Sequence, residues 1–249
     1  MPRTYKSLQR LYIDAPLPGE APLALGREQS NYLGAVLRMR AGDEIIAFNG
    51  RDGAWRMRII DPSKKAVTLE AVEQIAAQTP APDLWYGFAP LKTGRLDYMV
   101  QKATEMGAGI VQPVVTRYTQ ARNTRIEKIR ANVIEAAEQC EVLSVPEVRD
   151  EVRLETLLAE WDAQHAERIL LFADEAAAPG SPIDVIGAFA GRPIGLLVGP
   201  EGGFAEEERE ALLKREFVVP ISLGPRILRA DTAAVAALAV IQAIIGDWR

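Results

Sequence analysis

The pattern of hydrophobic and polar residues divides the chain into two parts, and the first part predicts β structure. Three short strand-like runs are separated by turn sequences rich in Gly, Asp, Asn and Pro. These runs cover residues 43–48, 54–60 and 66–74. Two prolines then flank a small residue within 79–83, which is a composition typical of a linker. We therefore predict a β domain over residues 1–78.

After the linker, strand-like and helix-like segments alternate through residues 83–249. Short apolar runs predict strands, and apolar residues at helical spacing predict amphipathic helices. The predicted strands are 84–89, 110–115, 169–172, 194–198 and 217–223, and the predicted helices are about 93–106, 126–140, 154–166, 206–215 and 231–245. This alternation predicts an α/β domain in which helices cover both faces of a parallel sheet.

Two Gly-Pro loops follow neighbouring strands of the predicted sheet. The stretch 196–204 reads LLVGPEGGF, and the stretch 222–229 reads SLGPRILR. Because ligands bind beyond the carboxyl ends of such strands, the two loops predict one shared pocket. Neither a Gly-Lys-Ser/Thr phosphate loop nor a G-x-G-x-x-G fingerprint occurs, and Glu201 would repel an anion. A neutral or cationic ligand fits better, and the alternative is a pair of tight turns without a ligand.

The amino-acid composition excludes several kinds of functional site. The apolar fraction of 48% and the charged fraction of 25% are typical of a soluble globular protein. One cysteine, Cys140, excludes an internal disulfide framework and indicates a reducing compartment. Together with a single histidine, His165, it cannot form a His/Cys metal site within one chain, so we expect no metal. Both residues are expected to be structural, and the absence of a nucleophile elbow argues against a hydrolase.

The net charge of −5 is distributed unevenly. Residues 1–78 carry +2, residues 79–130 carry +4 and residues 131–249 carry −11. A polyanion would therefore bind the first half of the chain, unless this excess is a chance feature of solvated surfaces. The opening residues do not resemble a signal peptide, and the apolar run 233–245 is too short to cross a bilayer. We expect a cytoplasmic protein with no membrane partner.

The two loops and several other motifs resemble a known family. The motifs are GPEGGF at 199–204, LGPRILRADTA at 223–233, RLYI at 10–13, VLR at 36–38 with Gly-Asp at 42–43, QKATEMG at 101–107 and EAAEQC at 135–140. They make the chain similar to the small-subunit ribosomal RNA uridine-N3 methyltransferases of the SPOUT superfamily. Two positions depart from that family: Asn31-Tyr32 replaces a histidine before Leu33, and Asp231 replaces a glutamate.

The resemblance implies a fold that periodicity alone does not predict. It implies an N-terminal PUA-like β-barrel followed by a SPOUT α/β domain with a C-terminal trefoil knot. It also implies a homodimer that packs through the helices of the knot. The predicted helix 231–245 suits such an interface because it is apolar on most sides, although burial within one subunit is an equal alternative.

The resemblance also implies an activity, the S-adenosylmethionine-dependent methylation of uridine N3 in small-subunit (16S) ribosomal RNA. S-adenosylmethionine is a cation without phosphate, which agrees with the two neutral loops. One alternative is a SPOUT methyltransferase that acts on a ribose 2′-hydroxyl or on a transfer-RNA guanine. A second alternative is a non-catalytic RNA-binding protein whose knot holds no cofactor.

The resemblance assigns candidate residues to the cofactor and to the RNA. The candidate cofactor-binding residues are Phe172, Val198, Gly199, Pro200, Gly202, Leu223, Gly224, Ile227 and Leu228. The candidate RNA-binding residues, which are cations that would contact phosphates, are Arg10, Arg38, Arg40, Lys92, Lys102 and Arg117.

Three further residues are candidates for catalysis. Arg229 would stabilise negative charge on the uracil ring, or it would hold the loop as a structural arginine. Asp231 would orient Arg229 or accept the N3 proton, or it would cap the last helix. Glu201 would lie near the sulfonium, or it would cap the helix that follows it.

Overall fold

The computed structural model describes residues 7–18, 21–63, 65–120, 124–178 and 180–248. The chain divides into two units. The first consists of Met1–Pro80 and Ala137–Val145, and the second of Ala81–Ala136 and Pro146–Arg249. The chain therefore passes between the units near the predicted linker, and it returns to the first unit for nine residues in its middle.

The first unit is built on a five-stranded sheet. Its strands are β1 (Arg10–Tyr12), β2 (Leu23–Ala24), β3 (Glu44–Phe48), β4 (Ala54–Asp61) and β5 (Thr68–Ala76), in the order β1-β3-β4-β5-β2. The three predicted strands are confirmed as β3, β4 and β5, which pair antiparallel. In the described part of the chain the edge strands β1 and β2 do not pair with each other. The sheet is therefore a half-barrel, which corrects the PUA-like β-barrel that the resemblance implied.

Two clusters of apolar residues hold this unit together. One contains Leu33, Ile45 and Met57, which are fully buried, and Leu33 lies in a π-helical turn, Tyr32–Val36, that follows α1 (Arg27–Asn31). The other contains Ile46, Phe48 and Ala54 with Ala137 and Leu143. Segment Ala137–Val145 belongs to this unit because its apolar residues complete the second cluster.

The second unit contains a fully parallel sheet of seven strands. They are β6 (Leu84–Phe88), β7 (Ile110–Val115), β8 (Glu147–Val148), β9 (Val152–Arg153), β10 (Ile169–Ala173), β11 (Ile194–Val198) and β12 (Val218–Ile221). The order is β12-β10-β11-β6-β7-β8, and β9 pairs with β7. All residues of β6 and β11 are buried, as expected for strands covered on both faces. The five predicted strands are confirmed, whereas the two-residue strands β8 and β9 were not predicted.

The further helices are α2 (Thr93–Glu105), α3 (Ile126–Gln139), α4 (Leu154–His165), α5 (Pro182–Gly187), α6 (Glu206–Leu213) and α7 (Ala230–Ile244). They belong to the second unit, except that the last three residues of α3 belong to the first. Five of them agree with the predicted helices, and the short α5 was missed. Helix α7 packs against α2, α5 and β11. Within the described ranges, the helices are all too short or too polar to cross a membrane.

An aromatic cluster fills the core on one face of this sheet. Trp161 stacks on His165 with ring centroids 4.1 Å apart and on Phe217 at 5.3 Å, and Trp85 meets Trp161 edge-on at 5.3 Å. Burial, reinforced by two neighbouring arginines, lowers the pKa of His165 to about 4. The histidine is therefore neutral at physiological pH and lies in the core, as the sequence predicted.

Candidate functional site

A cavity of about 630 Å³ opens at the carboxyl ends of β10, β11 and β12. Three loops line it, with residues from the stretches 173–177, 198–204 and 221–230. The two Gly-Pro loops therefore share one pocket, as we expected. The strands that precede them are not neighbours as predicted, because β10 lies between β11 and β12. All three strands are parallel, so their carboxyl ends still meet at one edge of the sheet. The predicted residues that line the cavity are Val198, Gly199, Pro200, Glu201, Leu223, Gly224, Ile227, Leu228 and Arg229.

Close packing within the loop after β11 explains why its first residue is Gly199. A Cβ atom on Gly199 would lie 2.4 Å from the ring of Phe204, so this glycine allows Phe204 to approach the backbone. Phe204 lines the cavity and meets the fully buried Phe172 edge-on, with ring centroids 4.9 Å apart. The prediction that Phe172 forms the wall of the pocket was therefore wrong, because Phe204 forms the wall and Phe172 supports it from behind.

The loop after β10 contributes an ion pair that sequence reasoning missed. Asp174 follows β10, and its carboxylate accepts hydrogen bonds from Arg209 Nε at 3.0 Å and from the backbone N–H of Ala176 at 3.0 Å. The hydrogen bonds to Asp174 raise the pKa of Arg209. The position of Asp174 at the end of a predicted strand was the available signal.

The lining of the cavity carries charges of both signs. Asp174, Glu175, Glu201 and Glu206 supply carboxylates. Arg209, Arg226 and Arg229 supply guanidinium groups. A cavity with this lining suits a ligand that carries positive and negative groups together, because each sign finds a partner.

Glu201 forms an ion pair with Arg95 at the start of α2. The alternative that Glu201 caps the following helix is wrong, because α6 begins five residues later, after Ala205. The carboxylate that serves that helix end belongs to Glu208, whose Oε2 accepts the N–H of Ala205 at 3.0 Å. Glu201 thus joins the loop after β11 to α2 while it lines the cavity.

Arg229 lies at the N-cap of α7 and lines the cavity with an exposed side chain. Its guanidinium has no hydrogen-bond or ion-pair partner among the described residues. The alternative role of holding the loop would need such partners. Since the side chain also lies at the positive end of the α7 dipole, the position suits the binding of a developing negative charge.

Asp231 is the second residue of α7 rather than its N-cap, which corrects the capping alternative. Its Oδ1 accepts the N–H of Thr232 at 2.9 Å, and it does not line the cavity. Burial and, secondarily, the charge of Asp231 raise the pKa of Tyr86, whose buried hydroxyl has no partner among the described residues. No hydrogen bond joins Asp231 to Arg229 within the described part of the chain.

Gly202 does not line the main cavity. It faces Tyr118 instead, and a Cβ atom on Gly202 would lie 3.4 Å from Tyr118 Cβ. Together with Arg117, Thr119 and Gln120 these two residues line a shallow cavity of about 410 Å³. The prediction that Gly202 contacts the cofactor therefore does not agree with the packing of the loop.

The predicted RNA contacts differ in exposure. Arg10 is only 7% exposed, and its guanidinium lies over the ring of Phe48 at 5.0 Å, so it is not available to a phosphate. Arg38, Arg40, Lys92 and Arg117 are exposed, and Arg38 adopts a left-handed backbone conformation with φ of 57°. Lys102 is partly buried and pairs with Glu105 at 2.6 Å.

Metal chemistry finds no support in the part of the chain that the structure describes. In those residues no group of three or more His, Cys, Asp or Glu side chains is arranged to hold an ion. His165 is buried in the aromatic cluster and Cys140 is exposed, and they lie in different units.

Comparison with known proteins identifies both parts of the chain. A family model described as an RNA methyltransferase domain matches residues 78–242, and one described as an RNA methyltransferase PUA domain matches residues 25–72. The ribosomal RNA small subunit methyltransferase E of Rickettsia conorii is 31% identical over 235 residues, which cover 94% of each chain.

Solved structures agree with this assignment. The ribosomal RNA small subunit methyltransferase E of Neisseria gonorrhoeae, bound to S-adenosyl methionine, has a TM-score of 0.83 and 26% identity, and the match covers 97% of this chain and 100% of that one. A methyltransferase of Legionella pneumophila with bound cofactor SAM has a TM-score of 0.81 and 28% identity, covering 95% and 97%. The chain described here belongs to the RNA methyltransferase family, in which a PUA domain precedes the methyltransferase domain.

Proposed function

We propose that the protein transfers a methyl group from S-adenosylmethionine to N3 of a uridine in small-subunit (16S) ribosomal RNA. The observation that carries this proposal is the cavity of about 630 Å³ between two Gly-Pro loops, with Arg229 at the start of α7 on its lining. Relatives named ribosomal RNA small subunit methyltransferase E match almost the full length of the chain.

The cofactor is S-adenosyl-L-methionine. Its size suits the cavity, which falls within the usual range of about 300–1,000 Å³ for small-molecule sites. Backbone N–H and C=O groups of residues 198–200 and 223–228 would hold the adenine and ribose. The carboxylates of the lining would face the sulfonium and amino groups, and its arginines would face the methionine carboxylate.

Bound S-adenosylmethionine supplies an electrophilic methyl group on a sulfonium. Uridine N3 lies between two carbonyl groups and carries a proton, so it becomes a good nucleophile only when that proton has passed to solvent water. The bond from N3 to the methyl carbon would then form as the methyl–sulfur bond breaks, with S-adenosylhomocysteine as the leaving group. Arg229 would stabilise the negative charge that loss of the proton spreads over N3 and the two carbonyl oxygens. The N-terminal dipole of α7 has the same sign and adds to this effect.

Glu201 has a supporting role in this proposal, whereas Asp231 is assigned no direct step. Asp231 does not line the cavity, and its carboxylate lowers the positive field at the start of α7 rather than adding to it. Glu201 would place its carboxylate on the cofactor side of the loop while Arg95 keeps it in position. Arg38, Arg40, Lys92 and Arg117 are the exposed cations that we assign to RNA phosphates.

We also infer that the loops around the cavity form a trefoil knot. Strand β12 lies at the edge of the sheet beyond β10, yet α7, which follows it, packs against α2 and β11. The chain therefore turns back across the sheet after β12, as such a knot requires. We assign the protein to the SPOUT superfamily and to the cytoplasm, where small-subunit RNA is available.

The surface of α7 supports the proposal of a homodimer. One face of the helix, with Ala234, Ala237 and Leu238, is buried within the subunit. Partly exposed apolar residues such as Val235 and Val240 remain on the rest of it. A second subunit would cover them, and sedimentation velocity at increasing protein concentration tests this assembly.

Ligand-dependent unfolding tests the cofactor. S-adenosylmethionine at one hundred times its dissociation constant is expected to stabilise the protein by about 2.7 kcal/mol. ATP and NAD are expected to leave the melting temperature unchanged, because the loops contain no phosphate motif. A thermal shift with ATP and none with S-adenosylmethionine would contradict the proposal.

Mass spectrometry of ribosomal RNA tests the reaction. RNA from a strain that lacks the protein is expected to have lost one N3-methyluridine, and the purified protein is expected to restore it. Loss of a ribose methylation instead would support a SPOUT enzyme with another target. Calorimetry that detects no binding of S-adenosylhomocysteine would favour an RNA-binding protein without catalysis.

A further inference from the structure

The tip of the loop after β7 presents an aromatic ring to solvent. Tyr118 is 47% exposed, and it lies in a turn closed by three hydrogen bonds between Thr116 and Thr119, one of which joins their hydroxyl groups at 3.0 Å. The N–H of Thr119 donates to the carbonyl of Thr116 at 3.1 Å, and the N–H of Thr116 donates to Thr119 Oγ1 at 2.9 Å. The turn is therefore well defined, although its aromatic side chain is not buried by the fold.

This turn is hydrogen-bonded to α6, and it contacts the loop that lines the main cavity. The N–H of Arg117 donates to Glu208 Oε1 at 2.7 Å, and Tyr118 lies against Gly202. Gly203, the next residue, lines the main cavity. The residue that Tyr118 contacts is thus adjacent in sequence to a residue of the cofactor cavity.

The groups around Tyr118 match the chemistry of an unpaired nucleotide. The shallow cavity of about 410 Å³ offers an aromatic face from Tyr118, an amide from Gln120, a hydroxyl from Thr119 and the guanidinium of Arg117. Proteins recognise single-stranded RNA by stacking bases on aromatic rings, by hydrogen bonds to base edges and by cations on phosphates. Arg117 is 62% exposed and pairs with the exposed Glu207 at 3.3 Å, a contact that an RNA phosphate is able to replace.

We propose that Tyr118 stacks on the nucleotide adjacent to the methylated uridine. An enzyme that acts on a base must take it out of its stack, which leaves the neighbouring base without a partner. A ring one loop away from the cofactor cavity supplies that partner and so positions the target. This inference rests on the proposed function, and it makes Tyr118 a positioning residue rather than a catalytic one.

Substitutions of Tyr118 test the stacking role, with unmethylated small-subunit RNA as the probe. Loss of an aromatic ring from a stacking site typically weakens binding about 5- to 150-fold. Tyr118→Ala and Tyr118→Leu are expected to raise KM for RNA by a factor in this range, whereas Tyr118→Phe keeps KM within about twofold because it keeps the ring. The affinity for S-adenosylmethionine and the melting temperature are expected to stay unchanged in all three variants.

Two matched controls separate stacking from general surface effects. Tyr98→Ala removes a tyrosine of the same 47% exposure that lies on α2, outside the shallow cavity, and is expected to leave KM unchanged. Arg117→Ala is expected to reduce the salt dependence of RNA binding by about one phosphate contact. Tyr118→Ala is expected to keep the wild-type salt dependence, because stacking releases no counterions.

The outcomes distinguish this inference from the proposed function. An unchanged KM for Tyr118→Ala, or equal KM values for the Leu and Phe variants, would overturn the stacking role while methylation by the wild-type protein stands. A wild-type protein that leaves uridine N3 unmodified would contradict the proposed function. In that case, direct measurement of RNA binding by the same variants still decides whether Tyr118 stacks on a base.

Discussion

Arg229 combines a position on the cavity lining with a guanidinium that has no partner among the described residues. If it stabilises charge on the uracil ring, Arg229→Ala should lower single-turnover methylation by about 10²- to 10³-fold. Cofactor affinity should stay within a few-fold, because the neighbouring contacts are backbone groups. Arg229→Lys should recover little, since an ammonium does not reproduce the planar fork of a guanidinium.

Measurements of melting temperature and cofactor binding on the same variants provide the control. Arg215→Ala removes another exposed arginine outside the cavity and should behave like the wild type. A folded Arg229→Ala protein that methylates at a near wild-type rate would remove this residue from the mechanism. Early melting with a proportional loss of cofactor binding would instead make it structural.

At the same scale, His165 should make the stability of the protein depend on pH. Its pKa is about 4 in the folded state against 6.5 for the unperturbed group, so the unfolded chain takes up a proton first as the pH falls. The contribution to stability is complete above pH 6.5 and is lost progressively between pH 6.5 and 4. At pH 4.5 the loss should be about 2 to 3 kcal/mol.

Urea unfolding of wild type and His165→Phe at pH 7 and pH 4.5 measures this effect. The variant keeps a ring against Trp161 but has no group that titrates, so its stability should fall less between the two pH values. The carboxylates titrate equally in both proteins. The difference between the two proteins in how far the free energy of unfolding falls from pH 7 to pH 4.5 therefore reports on the histidine. An equal fall in the free energy of unfolding of both proteins would show that His165 does not titrate as its burial implies.

At the scale of elements, the loop after β11 should tolerate no side chain at its first glycine. A Cβ on Gly199 would lie 2.4 Å from the ring of Phe204, which itself packs on the buried Phe172. Gly199→Ala should therefore displace Phe204 from the cavity wall. Overpacking of this kind costs about 1–3 kcal/mol, and cofactor affinity should fall with it.

Gly94→Ala is the matched control for this prediction. Gly94 lies in the first turn of α2, and an added Cβ meets nothing within 4 Å. This substitution should be neutral or slightly stabilising, because Ala favours helix. Differential scanning calorimetry with and without S-adenosylmethionine compares the two variants, and equal melting curves would contradict the role of Gly199.

At the scale of the whole molecule, part of RNA binding should be separable from cofactor binding, because the RNA candidates Arg38 and Arg40 lie in the first unit and the cavity lies in the second. Arg38→Ala with Arg40→Ala should weaken RNA binding and lower its salt slope by about one for each phosphate that the variant no longer neutralises. The cofactor affinity should not change, since the cavity residues all belong to the second unit. Titrations at several salt concentrations measure the slope, and an unchanged slope would exclude these two arginines from the RNA interface.

Arg10→Ala is the contrasting variant in the same unit. Because Arg10 is buried against Phe48, its loss should destabilise the protein, while the salt slope of RNA binding should stay at the wild-type value. A reduced slope without a change in stability would restore Arg10 as a residue that binds phosphate.

Local hydrophobic patterns in the sequence were sufficient to predict the strands and loops around the site. The apolar runs of β10, β11 and β12 and the Gly-Pro loops after β11 and β12 are visible in the sequence, because burial on both faces requires unbroken apolar stretches. The sequence also indicated that these loops share a pocket, since parallel strands end at the same edge of a sheet. Short elements such as β2 and α5 escaped prediction because they contain too few residues to show the hydrophobic periodicity of a strand or a helix.

The sequence by itself determined the longer strands and helices and their succession along the chain, the two Gly-Pro loops and the resemblance to a methyltransferase family. Only the tertiary structure decided which side of each loop faces the cavity, and this placed Phe204 rather than Phe172 in the wall and turned Gly202 toward Tyr118. It also brought Asp174 to Arg209 across 35 positions, and it buried Arg10. The physical reason is that a residue's neighbours in sequence set its local conformation, whereas its exposure and its partners depend on segments that approach it only when the chain folds.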